Sequence, residues 1–345
     1  MAFEESLASS NQLGLEVVHS VIAASSIARA IERHYAIGEA ESCQLLRRGF
    51  NEMYEVQALD GRRYAARLSA LRRRGPANVE YEVSLLRHIQ SRGGGVAAPV
   101  LTDSNSPCIF LSAPEGQRAL VLFEFLEGDV PGSALDMEVT GAGLAHLHLA
   151  AEDYAGPGSL YHLDMEHLLH RPLDWLLATP TVNDGLRQQF SLLAEALEKR
   201  LADTQGLSQV ACHGDCHGHN NFIKRPMEGK ATTSFFDFDD GGPGFLAYEL
   251  AVLPWSLLLR KSLAEPDADA LEKWQHFLAG YKSQRAVSDT DTAAIPLFIS
   301  IRHFWLMGEY ASRAHHWGSQ AMPTAWLTKQ VDLLRSWQNL QTPTC

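Results

Sequence analysis

His213-Gly214-Asp215-Cys216-His217-Gly218-His219-Asn220, followed seventeen residues after Asn220 by Asp237-Phe238-Asp239-Asp240, is the stretch from which the fold of this 345-residue chain is read. Each block stands at the end of an apolar run. Asp215 is placed to accept a proton from an attacking hydroxyl. Asn220 and Asp237 offer hard oxygen ligands of the kind taken by Mg²⁺, an ion that keeps several waters and is seldom caged by protein alone. A base and two metal ligands at this spacing are what phosphoryl transfer asks of a protein. The residues around them read as a hairpin: Phe222-Ile223-Lys224 as one strand, Arg225 to Lys230 as a turn containing Pro and Gly, and Ala231 to Phe236, rich in Thr and Phe, as the other. A hairpin there carries Asn220 and Asp237 to the same end, and Asp237 then enters a Gly-Gly-Pro-Gly turn.

Two rival readings of the stretch exist. Cys212, His213, Asp215, Cys216, His217 and His219 are dense in ligands suited to zinc or another transition metal. No second Cys/His pair of matching spacing appears elsewhere in the chain, as a structural zinc site would ask. A polar loop with buried cysteines is the blander alternative, and it leaves Asp215, Asn220 and Asp237 without a purpose.

The order H-x-D-x-x-x-x-N, with a further Asp beyond a hairpin, resembles the aminoglycoside phosphotransferase and choline kinase family, and the resemblance extends over about residues 40 to 340. It implies an α+β, protein-kinase-like bilobal fold. A small β-rich nucleotide-binding lobe with an N-terminal helix would occupy 1–122, a hinge 123–128, and a mostly helical catalytic and substrate-binding lobe 129–345. It implies ATP and Mg²⁺ as cofactors, Asp215 as catalytic base, Asn220 and Asp237 on the metal, and His213 and Asp239 in support, with Asp240 beside them.

Composition agrees with such a chain. Hydrophobic residues make up 46 % and charged residues 20 %, enough for two cores and too apolar for disorder. No run of eighteen apolar residues exists, and the acidic start Met1-Ala2-Phe3-Glu4-Glu5 lacks a secretory pattern. Five scattered cysteines without a framework spacing point to a reducing, cytoplasmic setting. The net charge of −12 divides into −2 over residues 1–127 and −10 over the remainder. An acidic second half repels a nucleic acid backbone and suits a cationic, hydroxylated small molecule, although excess acid also serves solubility.

In the first half, residues 13–35 space their apolar positions as an amphipathic helix. Ser42–Leu46, Met53–Leu59 and Arg63–Leu68 alternate as three antiparallel strands, with Asp60-Gly61 turning the last two. By the resemblance, the turn Gly49-Phe50-Asn51-Glu52 covers nucleotide phosphates, with Gly49 and Asn51 as its contacts. Arg67, in Arg63-Tyr64-Ala65-Ala66-Arg67-Leu68, stands where a kinase places its phosphate-holding Lys, and Glu82 at the start of the helix 80–91 would orient it. Ala119–Phe123 reads as a buried strand running into a hinge whose adenine contacts fall at Glu124 and Leu126.

The second half reads as helices over 141–151, 172–177, 184–201, 246–262, 268–283, 295–315 and 324–341. His146 and His148 in GLAHLHLA read as packing residues, and Glu249, in a family-like Tyr-Glu-Leu-Ala, as a structural brace for the catalytic loop. No long activation segment separates Asp237 from that helix, which speaks against a phosphorylation-switched protein kinase. Arg302, Trp305 and Glu309 share one helix face and are the first candidates for the acceptor pocket. The expected activity is transfer of the ATP γ-phosphoryl group to a hydroxyl of an amino alcohol or hydroxy amino acid of the homoserine, hydroxylysine or choline type. The alternatives are an aminoglycoside O-phosphotransferase, a stress-response Ser/Thr protein kinase of the same fold, and a non-catalytic ATP-binding pseudokinase.

Overall fold

The computed structural model describes residues 15–344, in two compact units. One comprises residues up to Ala77 and Val100–Leu122; the other comprises Asn78–Pro99 and everything from Phe123 onward.

The first unit is built on a six-stranded sheet: β1 (Ala40–Arg48), β2 (Glu52–Ala58), β3 (Arg63–Leu68), β4 (Pro99–Val100), β5 (Ile109–Ala113) and β6 (Gly116–Glu124). Their order is β1-β2-β3-β6-β4, with β5 paired to β6. β2 shows the period of two that the sequence predicts: Tyr54, Val56 and Ala58 point into the core, and Met53, Glu55 and Gln57 are half-buried. Tyr64, Ala66 and Leu68 of β3 join the same core, capped by Ile27 and Ile31 of α1 (Ala24–His34).

α1 is shorter than the helix expected over 13–35. Residues 15–23 are not helical, while residues 13 and 14 lie outside those described. Val17, Val18, Val21 and Ile22 lose rotamer freedom in a helix, and buried polar groups of the sheet capture the backbone instead. The Glu115 carboxylate accepts from the Ser20 amide at 3.1 Å and hydroxyl at 2.7 Å, and the Tyr54 hydroxyl donates to the Ile22 carbonyl at 2.7 Å.

The second unit contains α2 (Val79–Ser91), α3 (Ala134–Ala151), α4 (Arg171–Leu177), α5 (Asp184–Ala202), α6 (Leu246–Arg260), α7 (Ala268–Lys282), α8 (Asp289–Ser312), α9 (Ala314–Trp317) and α10 (Thr324–Ser336). Residues 78–99 group with these helices because α2 is tied to them: Tyr81 meets Tyr154 edge to face, and His88 bonds Asp153 at 3.0 Å. α3 and α7 cross with their backbones in contact. A Cβ at Gly141 would stand 2.0 Å from the Phe277 carbonyl oxygen, and one at Gly280 2.0 Å from that of Glu138. His148 forms a buried hydrogen bond with the Tyr281 hydroxyl across this pair, so it serves packing.

α8 begins six residues before the expected Ile295. Ser288 caps it, accepting from the Asp291 amide at 2.9 Å, and the buried Asp291 carboxylate in turn binds Ser208. Pro296 therefore lies inside the helix, not at its start. α10 ends at Ser336, short of the expected residue 341. Among the described residues no helix is long and apolar enough to cross a membrane.

Four short strands carry the motif: β7 (Gln209–Cys212), β8 (Asn221–Lys224), β9 (Thr232–Phe235) and β10 (Gly242–Phe245). β8 pairs antiparallel with β9, as the hairpin reading requires, and β7 pairs antiparallel with β10.

Candidate active site

That pairing sets the geometry of the site. The loop 213–220 joins β7 to β8, and the loop 236–241 joins β9 to β10. Since β7 lies on β10 and β8 on β9, the two loops emerge side by side. The Phe236 amide donates to the Asn220 carbonyl at 2.9 Å, so Asn220 and Asp237 share one end of the hairpin. Gly214 makes the close approach possible: its φ is +84°, and a Cβ there would stand 2.2 Å from the Asp240 carbonyl oxygen.

His213 fastens one loop to the other. Its Nε2–H donates to the Phe236 carbonyl at 2.9 Å, its Nδ1 accepts from the Asp215 amide at 3.2 Å, and its ring lies 4.3 Å from that of Phe238. Those bonds need one protonated and one bare nitrogen, and burial lowers its pKa to about 4, which keeps the ring neutral.

Asp215 is held through both carboxylate oxygens. Arg302 Nη2 bonds Oδ1, while Asn220 Nδ2 donates to Oδ2 at 3.0 Å and to the Asp215 carbonyl at 3.0 Å. His217 Nε2 lies 3.5 Å from Oδ2. One-fifth of the Asp215 side chain remains exposed. Burial raises its pKa to about 6, against the pull of Arg302 and with help from Asp240 and Asp239. It thus sits near the range where a carboxylate serves as a general base.

With both amide hydrogens of Asn220 given to Asp215, its Oδ1 is the end that can face a cation. Asp237 supplies a carboxylate from a left-handed backbone at φ +67°, a conformation Asp tolerates better than most residues. One amide oxygen and one carboxylate make a hard donor set that fits Mg²⁺ completed by waters and phosphate oxygens. Asp239 and Asp240 are buried in the same loop. Two histidines of the rival zinc reading have other occupations: His213 is spent on Phe236, and His219 bonds Arg260 at 3.0 Å.

The brace from α6 is made by neighbours in sequence. Glu249 accepts from the amides of His213 at 3.1 Å and Gly214 at 2.9 Å, and the Tyr248 hydroxyl donates to the Gly214 carbonyl at 3.2 Å. Glu249 is fully buried, and burial raises its pKa to about 7 despite those two donors. Glu249→Ala leaves two buried N–H groups unpaired, and we expect a loss of about 3 kcal/mol, read from urea unfolding. Glu249→Gln keeps one acceptor and should lose about half as much; equal stability of all three proteins would refute the brace.

The remaining residues singled out from sequence are distributed as follows. Gly49 donates its amide to the Asn51 carbonyl at 3.0 Å, and Asn51 Oδ1 accepts from the Ala70 amide at 3.2 Å, which ties this turn to the end of β3. Arg67 is buried on β3 on the face opposite Tyr64, Ala66 and Leu68, and belongs to the first unit. Glu82 is buried on α2 and belongs to the second. Glu124 ends β6, its amide donating to the Ala98 carbonyl at 2.8 Å, and Leu126 follows, half-buried. Of the α8 candidates, Arg302 reaches Asp215 itself, Trp305 covers the Arg302 guanidinium at 4.0 Å, and Glu309 is buried further along the helix. Sequence reading gave no role to Tyr248 or Arg260, named His217 only as a possible transition-metal ligand, and named Trp255 only among the aromatics of the helical half. Tyr248 had a signal, its place beside Glu249, whereas the contacts of the others depend on helix packing that no local pattern encodes.

The phosphotransferase enzyme family's profile matches residues 42–287. An uncharacterised protein of Deinococcus radiodurans is 34 % identical, over 93 % of this chain and 92 % of its own. A homoserine kinase of Hyphomonas neptunium is 27 % identical, over 76 % of this chain and 78 % of its own. Among solved structures, a microcompartment-associated aminopropanol kinase superposes with a TM-score of 0.69 at 21 % identity, covering 91 % of this chain and 95 % of its own.

Proposed function

The chain belongs to the phosphotransferase enzyme family, a small-molecule kinase with a kinase-like α+β fold, and from that premise we propose ATP as phosphoryl donor and an amino alcohol or hydroxy amino acid as acceptor. The observation that carries the proposal is the convergence of Asp215, Asn220 and Asp237 on two adjacent loops, with Asp215 anchored and still partly exposed.

In this reading the acceptor hydroxyl lies against Asp215, which orients it and takes its proton as the oxygen attacks the γ-phosphorus. The new P–O bond forms as the bond to the β-phosphate oxygen breaks, and ADP leaves. Asn220 Oδ1 and the Asp237 carboxylate would hold Mg²⁺, which would supply charge neutralisation for the transferring phosphoryl group. Arg67 supplies a fixed cation for the nucleotide phosphates, its planar fork suited to two phosphate oxygens at once. The family resemblance assigns the turn holding Gly49 and Asn51 to nucleotide phosphates, and Glu124 and Leu126 to the base.

The acceptor class rests on three supports. Relatives named homoserine kinase run along three quarters of the chain, a fold neighbour is named for aminopropanol, and residues 128–345 carry an excess of acid that favours an amine. The test is ATP consumption with Mg²⁺ over separate pools of hydroxy amino acids, amino alcohols, aminoglycosides and a peptide library. Turnover with either of the first two pools is the expected result. Turnover confined to aminoglycosides or peptides would overturn the acceptor class, and none at all despite Mg·ATP binding would favour a binding role.

A further inference from the structure

The placement of Arg302 answers a question the acceptor chemistry raises. Trp255 and Trp305 are linked to Asp215 through Arg302, and two indole faces suit a substrate ammonium. They are already occupied: the Arg302 guanidinium lies 4.8 Å from the Trp255 ring and 4.0 Å from the Trp305 ring. We propose that Arg302 is the positioning residue of the reaction, an internal cation held in a tryptophan cage that aims Asp215 at the acceptor hydroxyl. The proposal rests on the reading of Asp215 as base, and it reassigns Arg302 from acceptor contact to support of the base.

Both terminal nitrogens of Arg302 bond within the protein. Nη2 bonds Asp215 Oδ1, and Nη1 donates to the Gly214 carbonyl at 3.1 Å and the Tyr248 hydroxyl at 2.9 Å. Its side chain is 2 % exposed. A buried guanidinium is costly unless paired and hydrogen-bonded, and here one planar group binds both the side chain of Asp215 and the carbonyl of the residue before it. With Asn220 on the other carboxylate oxygen, the plane of the carboxylate is fixed from both sides. A lysine lacks this fixed fork: its three donors radiate from one nitrogen on a flexible stem and do not span these acceptors in one plane. The two tryptophans fix the guanidinium plane and so the direction of its bonds. Displacing a reacting group by about 1 Å costs about a hundredfold in rate, which sets the scale of what the clamp contributes. The same geometry implies that an acceptor ammonium finds its partner elsewhere than on Trp255 and Trp305.

The test takes an acceptor that the wild type phosphorylates and measures kcat, and KM for acceptor and ATP, in Arg302→Ala and Arg302→Lys. Arg302→Ala should lower kcat about a hundredfold and leave both KM values within about twofold. Guanidinium chloride at tens of millimolar should restore about tenfold of that loss in Arg302→Ala and nothing in Asp215→Asn. The double variant Arg302→Ala/Asp215→Asn should be no slower than Asp215→Asn alone, because the clamp has no base left to aim. Should Arg302→Ala fail to fold by circular dichroism, Arg302→Lys carries the test: it keeps the charge, and its kcat should still fall about tenfold. A folded Arg302 variant with wild-type kcat overturns the proposal, and so does a raised acceptor KM at unchanged kcat, which would make Arg302 an acceptor contact. A wild type that phosphorylates no acceptor fails the kinase reading itself, and the proposal falls with it.

Discussion

Asp215→Asn should lower kcat about a thousandfold while Mg·ATP still binds within about twofold of wild type, the two read by coupled assay and by titration calorimetry. The substitution keeps the size and planarity of the side chain and one oxygen for Arg302. What it removes is the ability to accept a proton. Asn220, whose Nδ2 also bonds the Asp215 carbonyl, retains that anchor, so the proposed metal ligand should stay in place. The pH dependence follows from the same carboxylate. Burial raises its pKa to about 6, and the reaction needs the deprotonated form, so kcat/KM for the acceptor should fall as pH drops through that value. A bound Mg²⁺ draws the midpoint lower. His213 and His217 do not add to the limb, since burial lowers their pKa values to about 4 and about 3. A residual Asp215→Asn activity with the wild-type acid limb, or kcat within tenfold of wild type, would remove Asp215 from the role of base.

How much of this was legible beforehand differs by residue, for physical reasons. The hairpin β8–β9 was readable because strand alternation and turn residues are local, and from it the meeting of Asn220 and Asp237 follows directly. The brace by Glu249 was readable because a carboxylate in the first turn of a helix next to a polar loop has few other uses. The start of α1 was not. Periodicity alone carries the helix back to residue 13, whereas Arg118, Glu115, Glu52 and Tyr54, remote in sequence, hold His19, Ser20 and Ile22 out of it. The same limit hid the partner of Asp215. Arg302, Trp305 and Glu309 were correctly placed on one helix face, but which way that face turns depends on how α8 packs on α6. It turns Arg302 onto the loop 213–220, between two tryptophans, where the sequence reading places an acceptor.

Asp237→Asn should abolish nearly all turnover at ordinary Mg²⁺, by about a thousandfold, without loss of fold. Two effects have to be separated at this position, because Asp237 combines the proposed ligand role with a left-handed backbone at φ +67°. Asn is the substitution that isolates the ligand. It enters the left-handed region as readily as Asp and keeps one oxygen in place, but it gives up the negative charge that draws a hard cation. Its melting temperature should therefore match the wild type, and the Mg²⁺ concentration giving half-maximal rate should rise by about a hundredfold, with part of the rate recovered at high Mg²⁺. Asp237→Ala adds the backbone penalty of about 1 kcal/mol to the same loss of ligand, so it should melt lower and recover less. Asp239 supplies the control within the loop: it is buried beside Asp215 and raises its pKa, yet as a supporting group its replacement by Asn should shift the acid limb downward and leave the Mg²⁺ requirement alone. If Asp237→Asn keeps the wild-type Mg²⁺ dependence while Asp239→Asn changes it, the metal ligand of this loop is Asp239, and the strained backbone at 237 serves only to turn the chain toward it.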